Sequence, residues 1–397
     1  MNPSASGWID KFGHLVDQNN DVYNTFQDLY NGLKKAGFVY GVNIKYPRFV
    51  EAEHAMSEAE HAKINLLTAL YFTYKLERVT YDFKTFLETI FAFYEELNVR
   101  QISFLNKILA GNKTSSQLEK LLDSRVYLDD NVISKTFNSI ITNSLLFVDV
   151  LTFKYYLNGG ADIRGHAQLL EYLAMNIISH AFNSKEINKA DEKLAQLFTS
   201  SLSFLDTDQK EFDGTYRKKL MSNPALWENQ YLLDVACITV WEDKTLEYQE
   251  SEFIYGIGSD LGFDEKHISR SLEEITSFFS QNADVIPFLK QDNLAMKFYD
   301  TMAKSVRRLI LRNRKRLLKE ISESKELMNL ISKSTVQELS PEERKRMQNQ
   351  LIDIFKSIPS LAIFMLPGGA VLLPLFVKLI PQLLPSAFDD NRIEKKE

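Results

Sequence analysis

Apolar residues recur at spacings of three and four along most of the chain, as in INLLTALYFTYKL (64–76), FKTFLETIFAFYEEL (83–97) and SKTFNSIITNSLLFVDVLTFKYYL (134–157). That period follows the turn of an α-helix, and no strand-like alternation of apolar and polar positions persists anywhere. The pattern predicts an all-α fold. Helix breakers are placed to match: seven of the ten prolines lie at or beyond Pro287, so little interrupts helices before that point. Breaks are expected at the loop NGGADIRG (158–165), near Ser222-Asn223-Pro224, and at Ser340-Pro341, where a new helix should begin. They divide the chain into an N-terminal helical domain (1–158), a middle helical domain (165–295) and a basic, then apolar, C-terminal segment (301–397).

With 397 residues, 45% of them hydrophobic, the chain can bury more than one core. The single cysteine, Cys237, lies in the apolar run YLLDVACITVW, which predicts a core thiol and a reducing compartment. The start, MNPSASGWIDKFGHLVDQ, has neither a basic region followed by a long apolar run nor a small-residue cleavage site, so most of the chain is expected in the cytoplasm. Charge is unevenly spread. Residues 301–350 hold 13 Lys/Arg against 6 Asp/Glu and residues 351–397 hold five of each, so the overall charge of -6 conceals a strongly acidic body ahead of a basic segment. A basic segment of this kind predicts contact with anionic lipid or RNA.

Most catalytic patterns fail. His54, Glu58 and His61 could share a helical face at a spacing that suits a transition metal, but the metalloprotease pattern is missing and a polar surface stripe is the commoner outcome. Residues 206–214 look like a calcium loop, yet Lys210 occupies the fifth position and the sixth is not glycine. Gly256-Ile-Gly258-Ser-Asp-Leu-Gly262 misses the dinucleotide fingerprint, and Gly262 reads as a helix C-cap. No serine lies in a glycine-flanked elbow. The expectation is a non-enzymatic protein without a cofactor.

Three stretches (64–97, 168–205 and 230–263) look like copies of one unit, each an apolar helix, a polar linker and a second helix with core aromatics. The third resembles the TerB-like modules of tellurite-resistance and related proteins. Its acids Asp234, Glu242, Asp243 and Glu247 are candidate cation ligands if they converge, and otherwise a solvated helix end.

The C-terminal segment carries the stronger signals. Residues 304–319, KSVRRLILRNRKRLLK, predict a basic helix with Val306, Leu309, Ile310, Leu317 and Leu318 as its apolar stripe. Arg307, Arg308, Arg312, Arg314, Lys315, Arg316 and Lys319, with Arg344, Lys345 and Arg346 further on, are the residues expected to face lipid or RNA. From Ser357 to Val377 there are 21 residues without a charge. At about 1.5 Å per residue a straight helix of that length spans a hydrocarbon core of about 30 Å. Pro359, Pro367, Pro374 and the pair Gly368-Gly369 oppose a straight helix, leaving a kinked span, a re-entrant hairpin or a buried hairpin.

The run from Leu339 to Phe388 resembles the core of the LETM family, the mitochondrial leucine zipper and EF-hand transmembrane proteins. Asp353, Lys356, Pro359, Pro367, Gly368, Gly369, Pro374, Lys378, Pro381, Pro385 and Ser386 carry the resemblance. It implies association with an inner membrane, exchange of cations against protons, and ribosome binding. The family usually has an intramembrane glutamate three residues after the second of these prolines. Ala370 stands there, which removes the natural ion carrier and leaves Asp353 and Lys356 as the ionisable candidates. TerB-like units joined to such a tail resemble the bacterial LETM-related biofilm-associated proteins. The resemblance implies a scaffold or adaptor on the cytoplasmic side of a bacterial inner membrane, in keeping with the basic residues ahead of the apolar run. Cation/proton exchange by the tail and ribosome binding through 304–346 are the alternatives. The expected partners are membrane lipid, the ribosome, a protein that meets the acidic body, and a second copy of the chain.

Overall fold

The computed structural model describes residues 1–19, 21–52, 54–97, 114–126, 144–184, 216–240, 248–286, 313–334, 336–358 and 372–384, with a few short stretches (196–197, 200, 303, 306–307, 309–311 and 361) between them. The fold is all-α, as the periodicity predicts, and no strand occurs among the described residues. In chain order the body contains α1 (Trp8–Gln18), α2 (Phe26–Ala36), α3 (Glu58–Glu77), α4 (Phe83–Glu96), α5 (Ser115–Val126) and α6 (Leu146–Leu157). It continues with α7 (Ile163–Ser184), α8 (Tyr216–Ser222), α9 (Leu226–Val240), α10 (Tyr248–Asp260) and α11 (Glu265–Gln281). A C-terminal unit follows.

Helices α3, α6, α7 and α9 form a row in which each packs on the next. In α3 every residue from Ala62 to Tyr74 is buried, and α6 is buried from Leu146 to Phe153. A helix with no polar side must be covered all round. One end of the row is covered by α1, α2, α4 and α5, and the other by α8, α10 and α11.

Local chemistry fixes where these helices start and stop. Thr25 with Asp28 and Ser57 with Glu60 form reciprocal capping boxes that satisfy the first free N–H groups of α2 and α3. Asp82 and Asp264 cap α4 and α11 in the simpler way. Gly262 takes φ 83° and closes α10 through the bond from Phe263 N–H to the Gly258 carbonyl (2.9 Å), as its sequence context predicts. Gly37 ends α2 at φ 87° in a turn so tight that a Cβ there would overlap the Val42 carbonyl.

Two carboxylates lie at full depth in the row. Asp149, in the middle of α6, accepts from Arg125 Nε of α5 at 2.6 Å and from the Tyr94 hydroxyl of α4 at 2.9 Å. Asp234, in the middle of α9, accepts from the Tyr30 hydroxyl at 2.6 Å and from Lys34 Nζ at 3.1 Å, both on α2, and Lys34 also reaches Glu274 of α11 at 2.7 Å. Burial, reinforced by the neighbouring carboxylate, raises the Tyr30 and Tyr94 hydroxyls well above the ordinary phenol range. For Lys34 burial acts the other way, but Asp234, Tyr40 and Glu274 outweigh it and keep the ammonium charged.

These contacts cross the boundary expected at 158–165. Besides Lys34 and Asp234, the Tyr231 hydroxyl donates to the Ser144 carbonyl at 3.1 Å, and the Phe26 and Trp227 rings lie 5.3 Å apart. The expected loop is present only over residues 158–162, with Gly159 at φ 77°, because Ile163, Arg164 and Gly165 already begin α7. Residues on its two sides nonetheless share one buried cluster.

Asp149→Ala would leave Arg125 charged, buried and unpaired. The expected loss is about 3–5 kcal/mol of unfolding free energy by urea denaturation. Arg346→Ala, which breaks an exposed pair with Glu326, should not move the same midpoint measurably.

Candidate functional site

The C-terminal unit comprises α12 (Arg314–Ser322), α13 (Lys325–Ser334), α14 (Pro341–Ser357) and α15 (Leu373–Leu383). Helix α13 is its centre and packs on the other three. Ser340 and Glu343 form a capping box with Pro341 in the first turn, so α14 begins where the sequence predicts. Helices α13 and α14 run antiparallel. Lys333 meets Glu343 at 2.6 Å at one end, while Glu326 accepts from Arg346 at 3.3 Å and from Gln350 at 2.9 Å at the other.

Helix α12 is sharply two-sided. Leu317 and Ile321 are fully buried, whereas Arg314, Lys315, Arg316 and Lys319 are exposed. Among the described residues no carboxylate pairs with any of these four cations. In the body the buried Lys34, Lys63 and Arg125 and the half-buried Lys154 and Arg217 each hold an acidic partner. Arg307 is exposed too, while Val306 and Ile310 are buried, so the apolar stripe of the basic segment faces protein. Arg308 and Arg312 lie outside the described residues. Lys345 is exposed, Arg344 is half-buried, and Arg346 is tied to Glu326.

The helix expected over 304–319 is interrupted. Asn313 is a turn residue (φ -103°, ψ 13°) whose backbone N–H and Nδ2 both donate to the Leu309 carbonyl, at 3.2 and 2.7 Å. Helix α12 starts afresh behind it.

The apolar run that follows is not one straight helix. Helix α14 stops at Ser357, Ile358 is extended (φ -116°, ψ 102°), and the next described α-helix begins at Leu373. Leu361, Phe376, Ile380 and Leu384 are fully buried, and the Phe376 ring meets Phe355 of α14 edge-on with centroids 5.2 Å apart. Lys378 faces out, with Pro374 and Pro381 partly exposed on the same side of α15. Among the described residues no helix is long and apolar enough to cross a membrane. The expectation of a transmembrane helix is corrected to that extent, because the described part of the tail turns its apolar face onto α13 and α14. Asp353 lies on the exposed side of α14 and Lys356 in its last turn, ahead of the apolar run. Pro359, Pro367, Gly368, Gly369, Ala370, Pro385 and Ser386 lie outside the described residues.

Residues 339–397 match the family model described as LETM1-like, RBD. The carboxy-terminal region is therefore LETM1-like. The match takes in α14 and α15 and leaves out α12, α13 and the whole body. No curated protein and no solved structure matches the chain.

Of the acidic candidates in the body, only Asp234 is among the described residues. Asp234 is fully buried and occupied by Tyr30 and Lys34, so it is neither a solvated helix end nor a free ligand. Glu242, Asp243 and Glu247 lie outside the described residues. His54 is exposed and precedes the Ser57 cap of α3, so it does not share a helical face with Glu58 and His61. Among the described residues no three His, Cys, Asp or Glu side chains converge. Cys237 is buried, and desolvation pushes its thiol well up, as expected of a core thiol. Sequence reasoning missed Lys34 and Arg125, whose partners lie on other helices, far along the chain in the case of Lys34.

If Phe376 fills the space between α14 and α15, Phe376→Ala leaves a cavity. It should lower stability by about 3–5 kcal/mol in detergent-free urea titration. An unchanged midpoint would mean that the tail is not packed on its own protein.

Proposed function

We propose that the protein is a non-enzymatic adaptor whose LETM1-like C-terminal unit docks on the ribosome through the exposed cations of α12 and the start of α14. The observation that carries this reading is the set of exposed cations Arg314, Lys315, Arg316 and Lys319 on one short helix, with which no carboxylate among the described residues pairs. Like charges crowded on one face repel one another, and a phosphate backbone relieves that repulsion while releasing its own counterions. The family description, a ribosome-binding domain, supports the same choice of polyanion. Helix α12 lies just ahead of the matched residues but packs on α14, so its cations belong to the same unit. The acidic body, for which the sequence resembles TerB-like and biofilm-associated proteins, would then be the part presented to other proteins.

A second reading keeps the inner membrane as the surface, with the body on its cytoplasmic side. The uncharged run from Ser357 to Val377 favours it. That reading requires the buried face of α15 to leave α13 and α14 before it meets lipid. Cation/proton exchange is the less favoured alternative, since Asp353 sits on an exposed helix face.

Cosedimentation of the full chain with ribosomes, and separately with anionic vesicles, distinguishes the surfaces. Ribosome binding is expected to weaken steeply between about 50 and 200 mM salt. Replacing Arg314, Lys315, Arg316 and Lys319 together by Gln should flatten the logarithmic salt dependence by about 3. Binding to vesicles without binding to ribosomes would replace this reading by the second.

A further inference from the structure

The end of the body where α3 and α6 finish and α9 begins holds apolar side chains out in water. At the α8–α9 turn Met221 is 63% exposed and Leu226 58%, and at the α3–α4 corner Val79 is 100% exposed. A short series of contacts joins the two corners. The ring of Trp227, next to Leu226, lies 5.3 Å from that of Phe26, and Lys154 Nζ sits 4.9 Å over Phe26 and pairs with Glu77. Arg78, next to Val79, donates from Nη1 to the Leu157 carbonyl at 2.9 Å.

The α8–α9 turn is fixed, so Met221 and Leu226 are presented by a firm support. Asn223 Oδ1 accepts from the Ala225 N–H at 3.2 Å, its Nδ2 donates to Glu228 at 3.0 Å, and its carbonyl accepts from Asn229 Nδ2 at 3.0 Å. Glu228 is held in turn by His166 Nε2 at 2.8 Å, and the Tyr155 ring stacks on that imidazole.

We propose that this end of the body rests on an anionic lipid surface, with Val79, Met221 and Leu226 entering the headgroup layer. From Tyr216 to Trp227 the chain carries Arg217, Lys218 and Lys219 and no acid. Arg217 is matched by Asp260, whereas Lys218 is exposed, and the Lys219 ammonium lies 4.8 Å over the Tyr172 ring. Arg78 and Lys84 are the exposed cations of the other corner. Of the acids at this end, Glu77 is engaged by Lys154 and Asn158 and Glu228 by His166. Asp82 and Asp162 each accept from a backbone N–H at the start of a helix, where the dipole offsets part of their charge. Asp21, beside Val22, is exposed and opposes the attraction. Shape favours lipid as well. The apolar residues stand singly on two corners, with Lys154 and Asn158 between them. A protein partner would need a matching pocket for each, while a fluid headgroup layer admits each where it stands. The partly exposed rings of Trp227 and Tyr81 suit the same layer. This face involves neither α12 nor the tail and so goes beyond the ribosome reading.

In the full chain with Arg314, Lys315, Arg316 and Lys319 replaced by Gln, the α12 cations no longer attract lipid. Vesicles of phosphatidylglycerol and phosphatidylcholine should still float this protein, and vesicles of phosphatidylcholine alone should float far less of it. Adding Val79→Ser, Met221→Ser and Leu226→Ser should lower the partition about a hundredfold, since burying one apolar side chain gains a factor of about ten or more. Adding Lys218→Gln instead should lower it about fivefold. The three apolar residues are exposed, so the urea midpoint should stay in place. Ribosome cosedimentation of the three Ser replacements in the otherwise unaltered chain should also be unchanged, which separates this inference from the ribosome reading. The proposal is overturned if the parent protein does not float, if both vesicle types float it equally, or if the three Ser replacements leave flotation as it was. A dimer abolished by those replacements, in a chain that does not float, would assign this end to a second copy instead.

Discussion

Asp149 and Asp234 sit in the middle of helices that have no side facing water, and the body is arranged so that each receives a hydroxyl and a cation. A lone carboxylate at that depth would cost several kcal/mol, so Tyr94, Arg125, Tyr30 and Lys34 must arrive together with the helices that carry them. That requirement ties α4 and α5 to α6, and α2 and α11 to α9. Such pairs add little net stability over an apolar core, but they penalise any packing that leaves one member unmatched. They thereby select one arrangement among the many that interchangeable apolar helices allow.

The C-terminal unit solves a different problem with the same materials. Its helices are amphipathic rather than apolar throughout, so a handful of buried residues (Leu317, Ile321, Ile331, Phe355, Phe376 and Ile380) suffices to hold them together. What remains outside is charged. In the body the buried Lys34, Lys63 and Arg125 and the half-buried Lys154 and Arg217 are matched by acids of their own chain, whereas the α12 cations face solvent. An interaction surface for a polyanion needs this separation, because internal pairing would consume the charge before a partner could use it.

Period and punctuation made much of this legible. Helix content, the breaks at 158–165 and 222–224, the cap at Ser340, the role of Gly262 and the buried Cys237 all follow from signals within a few residues of where they act. The interruption at Asn313 was not legible in this way. That the chain turns there shows only in the folded backbone. Asp234 was misread for another reason. A carboxylate near a run of acids looks solvated until a lysine two hundred residues away is known to meet it.

The sequence by itself determined that this chain is helical, where its charge is concentrated, and that its end resembles a LETM core, because these depend on residue type and short spacing. Only the tertiary structure decided which cations are spent on buried partners, that Val79 and Leu226 stand at one end of the body, and that the described apolar residues of the tail turn onto their own helices. Those outcomes depend on which surfaces meet, and an apolar face reads the same along the chain whether lipid, another helix or a neighbouring copy finally covers it.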